Sequence, residues 1–317
     1  MPKICYLHVG LHKTASSSFQ RTCAENIDLL QKNGVTYPLF SCSAANKPKI
    51  ENHSIPIVSL LTEKPENYHI NKRWRVSSEI NEVNSSYDIQ LENCLTSSNN
   101  VIISGEGISL LSEQSLSKLI DKIQCNNYEI RAFALIRSPY SMICSAIQEI
   151  IKNGKYFELI SLNNCVPTSS STALIGRSNI VKKLKSVFGS GISFHSFEYA
   201  CTHSYGPVGF LLKELLSQDP SAFEYQKTNE SLSNLSVRIQ NEFNAINPAF
   251  VGNKFNTQFR RFSPRVNKRL EFSGKFLLTE DEYALIEKFV KIETENLNKI
   301  TGLDFSTQSL KFSKPIC

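Results

Sequence analysis

At 317 residues, with 41% hydrophobic and 20% charged side chains, the chain can bury a large core, and no stretch of it is apolar for long enough to span a bilayer. Its net charge of +6, from 35 Lys and Arg against 29 Asp and Glu, suits a polyanionic ligand. It is too diffuse, and too free of basic runs interleaved with aromatics, to imply a nucleic-acid partner.

The opening MPKICYLHVG runs directly into a strand and lacks a long apolar segment with a cleavage site, so no signal peptide is expected. The nine cysteines are scattered, with no C-x-x-C pair, and the six histidines show no short-range pairing with them. They read as small apolar side chains in a reducing compartment, with neither a disulfide framework nor a metal site. The cytoplasm is therefore the expected location.

Residues 4–9 form a short, mostly apolar run that predicts a buried strand. Gly10, a turn carrying Lys13, and the hydroxyl cluster Thr14, Ser16, Ser17 and Ser18 follow. A helix then places Phe19, Cys23, Ile27 and Leu30 on one face and stops near Gly34. A strand, a turn with a lysine and a helix start make a phosphate-binding geometry, because first-turn N–H groups and the positive end of the helix dipole face the anion.

Residues 35–38 read as a short extended exit, and 41–77 as an irregular excursion broken by Pro48, Pro56 and Pro65. Ile80, Val83, Tyr87, Leu91 and Leu95 have helical spacing and lead to a second strand at 101–104, which ends in Gly105-Glu106-Gly107. After a helix through Leu116, Leu119 and Ile123, a third strand at 130–136 runs into Arg137-Ser138-Pro139. A helix over 140–152, a Ser-rich loop at 168–172, a helix over 180–187 and a fourth strand at 192–197 follow. The remainder, 206–317, reads as mostly helical. It holds a basic irregular stretch with Arg260, Arg261, Arg265, Lys268 and Arg269, and a last helix opened by the capping-box pattern Thr279-x-x-Glu282.

Strands alternating with helices predict a three-layer α/β/α fold around a central parallel sheet, built as one domain over 1–317 with a helical C-terminal part. Ligands of such sheets bind beyond the carboxyl ends of the strands. Lys13, Glu106 and Arg137 each follow a strand, and so are expected along one edge.

The Lys13 loop lacks the G-x-x-x-x-G-K-[ST] order of nucleotide triphosphatases. Lys-Thr-Ala-Ser-Ser-Ser instead resembles the 5′-phosphosulfate loop of sulfotransferases, usually K-[ST]-G-T-T, and the segment Arg137 to Ser145 is similar to their 3′-phosphate motif, R-x-P-x-x-x-x-x-S. The two motifs, in that order and each after a strand, resemble the sulfotransferase superfamily and its bacterial members that open with LHxGxxKT. Weaker likeness runs through 102–106, through Thr228-Asn229-Glu230-Ser231-Leu232 and to the end of the last helix near Gly302.

The resemblance implies a P-loop NTPase-like fold and the donor substrate 3′-phosphoadenosine 5′-phosphosulfate, with no metal. Lys13, Thr14, Ala15, Ser16, Ser17 and Ser18 would hold its 5′ end, and Arg137 and Ser145 its 3′-phosphate. Ala15 stands where glycine is usual and His12 where proline is common; if position 15 needs a positive φ, alanine costs about 1 kcal/mol. The implied reaction moves a sulfuryl group to an acceptor hydroxyl or amine, on a small molecule or a glycan.

A lysine on the leaving oxygen stabilises charge that grows only in the transition state, which is the role expected of Lys13. Glu106, between two glycines that leave room for a substrate, is the expected base, with His12 and the strand residue His8 as rivals. Two further readings stay open: a kinase of the same fold class, and a nucleotide-binding protein without activity. Trp74 between Arg73 and Arg75, the 260–269 arginines, and Lys152-Asn153-Gly154-Lys155 are weaker candidates for acceptor contacts.

Overall fold

The structure is a computed structural model that describes residues 3–73, 77–96, 99–158, 176–226, 231–252, 254–261, 268–306 and 310–313. Trp74, Arg75, the Ser-rich loop at 168–172, residues 228–230 and Arg265 lie outside them. The chain divides into two units, Met1–Ile136 with Asn179–Thr228, and Arg137–Ser178 with Asn229–Cys317.

The first unit is built on five parallel strands: β1 (Lys3–His8), β2 (Val35–Thr36), β5 (Asn100–Ser104), β6 (Tyr128–Ile136) and β7 (Ile192–Ser196). Their order is β2-β5-β1-β6-β7, so β1 is central, with Leu7 opposite Ile103 on one side and Ala132 on the other. The side-chain period of two divides this sheet between two cores. Cys5, Leu7, Val101, Ile103, Ala132 and Ala134 face one, and Tyr6, Ile102, Phe133 and Leu135 the other.

The first core is covered by α3 (Ser54–Leu61), α4 (Ser77–Leu95), α5 (Glu113–Cys125) and α7 (Ser178–Phe188). The second is covered by α1 (Ser16–Glu25), α2 (Ile27–Lys32), the short α8 (Phe197–Ala200) and α9 (Gly206–Phe210). The fold is thus three-layer α/β/α around a parallel sheet. Buried on both faces, the strands read as continuous apolar runs, which is why the sequence marks them clearly.

Two local readings change. The helix expected to run on to Gly34 breaks at Asn26, whose φ is −114°. The Asn26 side chain donates to Thr22 O and Glu224 O and accepts from Glu224 N, so a distant segment competes with the helix for this residue. The stretch expected to be irregular carries a hairpin, β3 (Phe40–Cys42) with β4 (Lys47–Ile50), and the helix α3. Pro56 lies in the first turn of α3, where a missing N–H removes no helical bond.

The second unit has its own core, formed by α6 (Pro139–Lys152), α10 (Asn234–Ile246), α11 (Glu280–Ala284) and α12 (Glu287–Thr301). Tyr140, Ile143, Ile147, Val237, Leu278 and Val290 fill it. The capping box forms between Thr279 and Glu282 but opens the short α11, not the last helix α12, which starts after a break, at Glu287. The buried Glu282 carboxylate also takes both ends of the Arg238 guanidinium, at 2.7 and 2.8 Å. A small hairpin, β8 (Phe250–Val251) with β9 (Lys254–Phe255), follows α10. Among the described residues no helix is long and apolar enough to cross a membrane.

Candidate functional site

Strand β1 ends at His8, and the chain turns through residues 9–15 before α1 begins. The turn needs unusual backbone: Lys13 has φ 71°, and Ala15, the residue before the helix, has φ 64° and ψ 19°. That left-handed conformation is one glycine adopts freely and alanine does not. The Thr14 hydroxyl is buried and donates to Leu11 O at 2.5 Å, so its proton closes the turn. No side chain caps α1, and its first turn carries Ser16, Ser17 and Ser18.

Ser17 is exposed and Ser18 half-buried, whereas the Ser16 hydroxyl is buried with no hydrogen-bond partner. A Cβ added at Gly10 would meet Ser16 Oγ at 2.9 Å, so the glycine makes room for this hydroxyl under the turn. An unsatisfied buried hydroxyl costs about 1–3 kcal/mol, which an anion accepting its hydrogen bond would offset. An uncapped helix start, a left-handed turn and a spare hydroxyl are the features that an anion-binding loop requires.

Glu106 follows β5 and is half-buried. Gln20 Nε2, from the second turn of α1, donates to Oε2 at 3.0 Å, and Asn52 Nδ2, just before α3, donates to Oε1 at 3.1 Å. Two elements of opposite layers thus fix the carboxylate. A carboxylate offers about four lone-pair sites, so each oxygen keeps one for a further partner. The flanking glycines have a further job, and Gly107 also lines the cavity beside Glu106. A Cβ at Gly105 would fall 2.6 Å from Ser54 N, and one at Gly107 3.0 Å from Ser54 Cβ, so they admit the start of α3.

Glu106 and His12 both line a cavity of about 670 Å³ within the first unit. Its other walls include Ile55, Val58, Tyr68 and Leu111, with Lys64 and His69 among the polar groups. Burial and the Glu106 charge push the Tyr68 phenol up to about 12, so it stays protonated. Pattern reading missed Tyr68, Asn52 and Gln20, because each reaches Glu106 or its cavity from an element far away in sequence.

Beneath the loop, His8 is fully buried, stacked on Phe133 and edge-on to Phe19. Its Nδ1 is 2.8 Å from Ser104 Oγ, and its Nε2 has no hydrogen-bond partner. Burial pushes this imidazole down to about 4, against the pull of Glu106. It is neutral at pH 7 and closed to any acceptor in the cavity. His53, also fully buried, accepts from Ser104 N at 2.9 Å and holds Pro38 O at 2.7 Å through Nε2, which sets its tautomer. Burial pushes it down to about 4 as well.

Arg137 and Ser145 belong to the second unit. Arg137 Nε donates to Ser141 Oγ at 2.7 Å. Ser141 lies one helical turn before Ser145 on α6, so both hydroxyls share a face of the helix that Arg137 reaches. The spacing of four residues was visible in the sequence, but the Ser141 contact was not anticipated.

No family model matches the chain, and neither does any curated protein. Among solved structures it aligns with the crystal structure of a sulfotransferase from Alicyclobacillus acidocaldarius, at 13% identity and a TM-score of 0.43, over 96% of this chain and 98% of that one.

Proposed function

We propose that the protein is a sulfotransferase that uses 3′-phosphoadenosine 5′-phosphosulfate and modifies an acceptor hydroxyl held beside Glu106. The observation that carries this reading is the fixed Glu106 carboxylate in the wall of a cavity that also includes His12, the neighbour of Lys13 in the strained loop. In this reading the α1 N-terminus and Ser16, Ser17 and Ser18 receive the 5′-phosphosulfate end of the donor. Thr14 shapes the turn, since its proton is already given to Leu11 O. The 3′-phosphate is assigned to Arg137 and Ser145 by their motif, with Ser141 orienting the guanidinium.

The reaction is a substitution at sulfur. The acceptor oxygen forms the new S–O bond while the bond to the 5′-phosphate oxygen breaks. Lys13 stabilises the charge that gathers on the departing oxygen, and an open lone pair of Glu106 takes the acceptor proton. The full burial of His8 argues against it as the base, and His12, in the cavity wall, is the rival. A donor-binding protein without turnover is the second reading, favoured by one observation, the left-handed Ala15.

The test is thermal unfolding with 3′,5′-adenosine bisphosphate, with ATP and magnesium, and with neither, followed by transfer of labelled sulfate to an acceptor extract. A ligand at about a hundred times its Kd stabilises the native state by roughly 2.7 kcal/mol. Stabilisation by the bisphosphate together with label transfer is expected. Stabilisation by ATP and magnesium alone would point to a kinase. Bisphosphate binding without transfer would leave the second reading.

A further inference from the structure

We infer that the surface made by the C-terminal end of α10 and the β8–β9 hairpin, within the second unit, docks onto a lipid bilayer carrying anionic headgroups. The inference is independent of the sulfuryl-transfer reading.

This surface exposes apolar side chains in one short stretch of chain. Ile246 is 78% exposed, Val251 66%, Phe255 60%, and Phe243 and Phe250 55% each. Single exposed apolar residues are ordinary, but five of them around one helix end and one hairpin are a local concentration of apolar surface.

The base of the hairpin is tied down. Asn256 holds it through N to Ala249 O at 2.8 Å and through Nδ2 to Pro248 O at 2.9 Å. Ala249 N is anchored in turn to Gly154 O at 2.8 Å, and Phe259 is buried beneath. The pairing of Phe250 with Phe255 and of Val251 with Lys254 places the two phenylalanines on one face of the hairpin and Val251 with Lys254 on the other.

Charge decides what covers this surface. Between Glu242 and Glu271 the sequence has no acidic residue and six basic ones, Lys254, Arg260, Arg261, Arg265, Lys268 and Arg269. Lys254, Arg260 and Arg261 are exposed, and the two arginines share a cavity of about 270 Å³ with Phe243, Asn247 and Gln258. A nucleic acid or an acidic polysaccharide would use the cations and could stack on phenylalanines, but would gain nothing from Ile246 and Val251. Apolar groups bordered by these cations, which outnumber the exposed acid Glu242 on α10, fit the boundary between acyl chains and anionic headgroups.

Co-sedimentation with large vesicles tests this. The full chain is mixed with vesicles of equal parts phosphatidylcholine and phosphatidylglycerol, and with phosphatidylcholine alone. Partitioning should favour the anionic vesicles by about tenfold or more, since several cations act together. Raising salt from about 0.1 M to about 1 M shortens screening from about 10 Å to about 3 Å and should remove most of that preference.

The variant F250S/V251S should lose about tenfold or more of its binding to anionic vesicles, with an unchanged circular dichroism spectrum. The second variant, K254E/R261E, should bind anionic vesicles no better than neutral ones. Failure of the unaltered chain to sediment with anionic vesicles overturns the inference. So does full vesicle binding by F250S/V251S. Equal binding of the unaltered chain and F250S/V251S to heparin or RNA, with none to vesicles, reassigns the surface to a soluble polyanion.

Discussion

Gln20 Nε2 donates to Glu106 Oε2 at 3.0 Å and, from the same nitrogen, to Ser104 O at 3.3 Å. One buried amide thus joins the helix that follows the Lys13 loop to the strand end that carries the proposed base. The position of the carboxylate is coupled to the loop by this side chain, whatever sits in the cavity.

Replacing Glu106 by Gln tests the base. Gln20 and Asn52 each donate to one carboxylate oxygen, and an amide can accept at only one of its two ends. The substitution should therefore cost about 1 kcal/mol of stability through one lost hydrogen bond. Turnover should fall far more, by a factor on the order of 10² to 10⁴, while bisphosphate affinity stays nearly constant. Near-normal turnover would hand the role to His12, which lines the same cavity.

Lys13→Ala and Arg137→Ala should separate kinetically. Loss of Lys13 should lower kcat at saturating donor much more than it weakens product binding, because the lysine acts on charge formed during bond breaking. Loss of Arg137 should weaken bisphosphate binding by about 1.5–3 kcal/mol, the value of a charge-assisted hydrogen bond, and spare a donor without the 3′-phosphate. Equal losses with both donors would make Arg137 a structural partner of Ser141.

Ala15→Gly should raise stability and tighten donor binding. Ala15 has φ 64°, a conformation that costs a residue with a Cβ about 1 kcal/mol and glycine almost nothing. Thermal unfolding with and without the bisphosphate checks both effects. A lower melting temperature for the glycine variant would show that the loop has no strain to release.

Stability should fall with acid through two histidines. His8 and His53 are each pushed from 6.5 to about 4 by burial, so between those values the unfolded chain binds more protons than the folded one. Their contribution is complete above about pH 6.5 and is lost as pH falls towards 4, by roughly 3 kcal/mol each at the acid end. Urea midpoints measured across this range should show the slope. His53→Gln should be less stable at pH 7 but have a shallower slope, and an unaltered slope would remove His53 from the effect.

The parts of the molecule legible in the sequence are those governed by local periodicity. Residues 101–103 and 132–136 are strands because both of their faces are buried, and that leaves an uninterrupted apolar run. The Thr279 capping box is legible for a similar reason, since both of its hydrogen bonds close within four residues. The candidate residues Lys13, Ser16, Glu106 and Arg137 were also visible, because each follows a strand of a parallel sheet.

Tertiary structure alone decided how those residues are held. Asn26 ends a helix through its bonds to Glu224, 198 positions away, and Gln20 reaches Glu106 across 86. Gly105 and Gly107 also have to be small because Ser54 packs on them. His8 is neutral because Phe19 and Phe133 enclose it, although the sequence places it beside a loop rich in polar groups. Such effects depend on distance and burial between segments remote along the chain, and local periodicity carries no trace of either.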